Sequence, residues 1–61
     1  MEHIISSVID TLLDRAEAEL RSAKACPGQG DPNWIVHMTT SKICTAMADA
    51  VIAARRRSHL Q

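Results

Sequence analysis

The residues with chemical potential in this sequence are few. It contains Cys26, Cys44, His3, His37 and His59, together with seven acidic and seven basic side chains. A structural zinc needs three or four ligands at matched spacing. The cysteines and histidines show no CxxC, HxxxH or HxxC pattern, so no metal is expected. Asp10 and Asp14 stand one helical turn apart, a spacing that also describes an ordinary solvated helix face, and nothing adjacent in the sequence orients either carboxyl. His37 could act as a base, but neither an activated nucleophile nor a Gly-rich phosphate loop accompanies it. No enzyme and no cofactor are expected from these patterns.

Two groups of residues suit binding better than catalysis. Arg55, Arg56 and Arg57 form a compact basic cluster that could contact nucleic-acid phosphates. In length and plan the chain resembles the small helical-hairpin RNA-binding dimers of the plasmid-copy-number Rop class, a likeness of architecture without a shared residue motif. Against a nucleic-acid role, the formal net charge is zero and Trp34 is the one aromatic residue available for stacking on bases. The second group is Trp34, Met38 and Ile52. On a helical wheel these three point away from a stripe containing Val36, Ile43 and Met47. Trp and Met are favoured where binding energy concentrates, so this face reads as a docking surface with Trp34 as anchor. Its alternative role is core, covered by a dimer partner.

Both glycines and both prolines fall between Pro27 and Pro32. Proline removes a backbone donor and disfavours helix in the residue before it, so a helix entering this run should stop near Ala25. Asp31 followed by Pro32 is a helix start: the carboxylate can cap free amides, and proline is tolerated at the first helical position. Ile5, Val8, Ile9, Leu12, Leu13, Ala16, Leu20 and Ala23 recur at spacings of three and four and fill an arc of roughly 180°. After the break, Val36, Thr40, Ile43, Met47, Ala50, Val51 and Ala54 repeat the spacing, with Ala46, Ala50 and Ala54 as a ridge of small residues. The segment Trp34-Ile-Val-His-Met38 could be extended, with the helix then starting at Thr39 or Thr40. Helix from Pro32 is favoured because a lone short strand has nothing to pair with.

The expected fold is all-α: one domain over 1–61, with a helix over about 2–25, a loop over about 26–31, a helix over about 32–57 and a frayed tail 58–61. Residues 1–19 carry five acids and one base, and residues 20–61 carry six bases and two acids, so an antiparallel hairpin brings opposite charges together. Chains below about 70 residues seldom stabilise themselves without a disulfide, a metal or oligomerisation. A hairpin separates Cys26 and Cys44 by roughly 18 Å along helix two, beyond the ~7 Å limit for a bridge. A homodimer forming a four-helix bundle is therefore expected, with Ile5, Val8, Ile9, Leu12, Leu13, Leu20, Ile43, Met47 and Val51 in its core.

Reduced thiols, no leader and no apolar run of membrane-span length point to the cytoplasm and away from the membrane. The leading expectation for function is a small regulatory adaptor or inhibitor that docks on a larger protein, a transcription regulator for instance, of phage or mobile-element type. The alternative is a dimeric nucleic-acid-binding regulator using Arg55, Arg56 and Arg57.

Overall fold

A computed structural model describes residues 2–60, the side chains of His59 and Leu60 excepted. Two helices account for nearly all of it: α1, Glu2–Lys24, and α2, Pro32–Leu60. The β-branched stretch after Pro32 is helical. α2 runs to Leu60, past the end expected near residue 57; residue 61 lies outside the described residues.

Local chemistry accounts for both inner helix ends. At the end of α1, the Ala25 amide donates to the carbonyls of Arg21 and Ser22, and the Cys26 amide donates to Ala23. This tightening of the last turn satisfies carbonyls that the helix itself leaves open. Pro27 follows and cannot extend the ladder. A turn closes with the Asp31 amide donating to Gly28. The Asn33 amide then donates to Asp31 Oδ1 at 2.8 Å, so Asp31 caps α2 with Pro32 in the first helical position. Neither Gly28 nor Gly30 has a positive φ.

The helices fold back as an antiparallel hairpin. Its register follows from three side-chain contacts: Glu2 with Arg55, Ala16 with Ser41, and Glu19 with His37. On α1 the buried and half-buried positions include Ile5, Ile9, Leu12, Ala16, Glu19 and Ala23, spaced alternately four and three apart. On α2 they include Trp34, His37, Ser41, Cys44, Ala48, Val51 and Arg55, with the same alternation. This seven-residue repeat is the geometry of two helices meeting along one narrow seam. The seam is thin: its buried members are Ile9, Ala16, Glu19 and Ala23 on α1 and Ser41 and Ala48 on α2.

The hairpin measures 48 × 16 × 11 Å, with a radius of gyration of 14.3 Å. A compact chain of this length would have a radius near 10.5 Å. The accessible surface is 4662 Å², against about 3,900 Å² for a compact protein of the same mass. Two helices side by side leave most of each circumference uncovered.

Candidate functional site

The tightest point of the seam is built from small residues. Ser41 Oγ donates to the main-chain carbonyl of Ala16 at 3.0 Å. A hydroxyl one carbon from its own backbone can reach the carbonyl of another helix only if the two backbones lie close. Ala48, 0% exposed, and Ala23, also buried, permit the same approach further along. The small residues that matter for helix contact are thus Ala16, Ala23, Ser41 and Ala48. The ridge expected at Ala46, Ala50 and Ala54 is exposed.

Beside this contact lies a polar cluster. Glu19 is buried and uses both carboxylate oxygens: Oε1 accepts from Arg15 Nε at 2.9 Å, and Oε2 is hydrogen-bonded to His37 Nδ1. The hydrogen bond from His37 holds the Glu19 carboxyl below its ordinary value of 4.5; Arg15 acts in the same direction and desolvation opposes both. An ionised carboxylate can only accept, so His37 carries its proton on Nδ1 and turns Nε2 away from the pair. A serine, a histidine and a carboxylate therefore meet in the seam, the residue types of a hydrolytic triad. Ser41 is buried and donates its proton to the Ala16 carbonyl, not to His37. The cluster instead gives the helix pairing its register.

Glu19, Ser41 and the Glu2–Arg55 pair are absent from the residues singled out by amphipathic spacing. Their signal lay in the seven-residue recurrences of positions 2, 9, 16 and 23 and of 5, 12 and 19 on α1, and of 34, 41, 48 and 55 on α2, which mix charged, polar and apolar types.

Trp34, Met38 and Ile52 lie on or beside the seam and are half-buried. The stripe containing Val36, Ile43 and Met47 is open in the single chain: Val36 is 59%, Ile43 53% and Met47 51% exposed. Val51 is half-buried. On α1, Ile5, Ile9 and Leu12 face the seam, while Val8, Leu13 and Leu20 stand out on its flanks.

The exposed apolar residues divide into two sides. In an antiparallel pair, positions displaced the same way round from the seam lie on the same side of the hairpin. One side carries Ile4 and Val8 from α1 with Val36, Ile43 and Met47 from α2. The other carries Leu13 and Leu20 with Ile35, close to Glu17, Lys42 and Asp49.

The arginine cluster is split by the register. Arg55 is half-buried, its Nε 3.8 Å from Glu2 Oε1, while Arg56 and Arg57 are exposed beyond the level of Glu2. Both thiols are free and half-buried, and Cys26 Sγ donates to the Ser22 carbonyl at 3.4 Å. Among the described residues, no group of three or more His, Cys, Asp or Glu side chains is placed to hold a metal ion. Nor is any described helix long and apolar enough to cross a membrane.

No family model, curated protein or solved structure matches this chain.

Proposed function

We propose that this chain is a small, non-enzymatic regulatory adaptor or inhibitor that works as a homodimeric four-helix bundle and binds a larger protein, such as a transcription regulator. One observation carries the reading: large apolar side chains stand open on both sides of a two-helix hairpin. Exposed apolar surface of this extent marks interaction with other chains. The two sides differ in character and suit different partners. The side of Val36, Ile43 and Met47 has no charge within its α2 stripe, Arg15 of α1 standing at its margin, and suits a permanent contact between subunits. The side of Leu13, Leu20 and Ile35 mixes apolar groups with Glu17, Lys42 and Asp49, the composition of an interface that forms and dissolves. Two free thiols suit a reducing compartment, and the cytoplasm is the proposed location.

The test is capture of a partner from the source cell by the tagged chain, followed by mass spectrometry. One protein should be retained as salt rises, and Leu20→Asp or Ile35→Asp should abolish its capture without changing helix content. The reading fails if the chain instead binds heparin in a salt-sensitive way, with loss of function in an Arg56→Ala/Arg57→Ala variant and none in the Leu20 and Ile35 variants. That outcome would establish the nucleic-acid alternative.

A further inference from the structure

We infer that the apolar stripe of α2 is the seam for a second copy of this chain, packed antiparallel about a twofold axis near residue 45. The inference rests on the dimeric reading above and specifies its surface and register. The stripe comprises Val36, Thr40, Ile43, Met47, Ala50 and Ala54, spaced alternately four and three apart. It is thus a second seven-residue seam, on the same helix as the one that meets α1. No charged residue interrupts it, the two charges of residues 32–54 being Lys42 and Asp49 on another face.

Three features favour a second copy over a foreign helix. The stripe is self-complementary: an antiparallel copy centred near residue 45 sets Val36 against the partner's Ala54, Thr40 against the partner's Ala50 and Ile43 against the partner's Met47. Val36 and Thr40 then meet alanines toward the ends, while Ile43 and Met47, the two largest residues of the stripe, meet at the axis.

Charge selects the antiparallel sense. Arg57 continues the stripe by one further repeat, so a parallel pair would bring two Arg57 side chains together, with Arg55 and Arg56 beside them. The antiparallel pair sends the two clusters to opposite ends, each toward the Asp31 end of the other chain.

Area agrees with a dimer. The hairpin exposes about 750 Å² more than a compact protein of its mass, close to the ~800 Å² that each partner buries in a standard interface. Ile4 and Val8, on the same side of the hairpin, add apolar area to the contact.

Sedimentation of the wild type and of Ile43→Glu/Met47→Glu, with cross-linking of single-cysteine chains, tests the inference. The wild type should be a dimer at micromolar concentration. The double variant should raise the dimer dissociation constant by roughly two orders of magnitude, because each chain would bury two unpaired carboxylates. In a Cys26→Ser/Cys44→Ser background, Ala46→Cys lies about 3 Å along the axis from its symmetry mate, and Ala53→Cys about 24 Å. A short bis-maleimide should therefore join the first pair and leave the second unjoined. Equal cross-linking of both would mean a parallel pair, and a double variant that remains dimeric would mean another surface; either overturns the inference and leaves the dimer intact. A monomeric wild type would overturn the inference and the dimer together. If the double variant does not fold, the cross-linking contrast still decides, since Ala46 and Ala53 are both exposed in the single chain.

Discussion

Glu19 is the residue whose placement says most about this molecule. A glutamate on a helix face is ordinarily solvated, yet here it is buried and bonded on both oxygens, to its own helix through Arg15 and to the other helix through His37. Its folded-state pKa lies below the unfolded value. The unfolded chain therefore binds the proton first as pH falls, and the contribution of Glu19 is present above about pH 4.5 and lost below it. The melting temperature of the wild type should accordingly fall on its acid limb, and Glu19→Gln should flatten that limb while lowering stability at neutral pH. Circular-dichroism melts between pH 3 and 7 would show this, and identical acid limbs for the two proteins would contradict it. A second prediction at this scale concerns Asp31. Because its side chain holds the Asn33 amide, Asp31→Ala should cost about 1 kcal/mol in a chemical unfolding titration.

The helices differ in how firmly their sequences specify a buried face. α1 has one broad apolar arc, and the seam uses its middle, leaving Val8 on one flank and Leu13 and Leu20 on the other. α2 is apolar on two sides and offers α1 a choice. Close approach decides it: the Ser41 and Ala48 side lets the backbones come together, whereas Ile43 and Met47 would hold them apart. A pair of substitutions reads out that choice directly. Ala48→Leu should destabilise the hairpin by about 1–3 kcal/mol through overpacking. Ala46→Leu, on an exposed position two residues away, should be within about 0.5 kcal/mol of the wild type. Equal effects in denaturant unfolding would mean that α2 meets α1 by a different face.

The molecule as a whole is too extended for its mass. With a radius of gyration of 14.3 Å and two narrow layers, it lacks the interior that gives larger domains their stability. Stability should therefore depend on association, and the melting temperature should rise with chain concentration, as it does when folding and assembly are linked. A melting temperature constant over a hundredfold range of concentration would show that the hairpin stands alone. A single seam encloses little volume, and the groups that resemble a hydrolytic set are spent on holding the helices in register.

Taken alone, the sequence determined that the chain is all-helical and in two pieces. The reasons are local: apolar residues recur at three and four, and proline and glycine are confined to one run. Which face of α2 meets α1 was decided by the tertiary structure. Local amphipathicity reports that a face wants cover, without saying which chain supplies it, and on α2 two faces made that claim. The choice depends on pairs far apart in sequence: the Ser41 hydroxyl on the Ala16 carbonyl, His37 on Glu19 and Arg55 near Glu2. Two of these pairs use charged groups that a search for hydrophobic spacing assigns to solvent, and the third uses a backbone atom. They become visible only when the helices lie side by side, because a small residue or a buried carboxylate stabilises a seam only opposite the group that complements it.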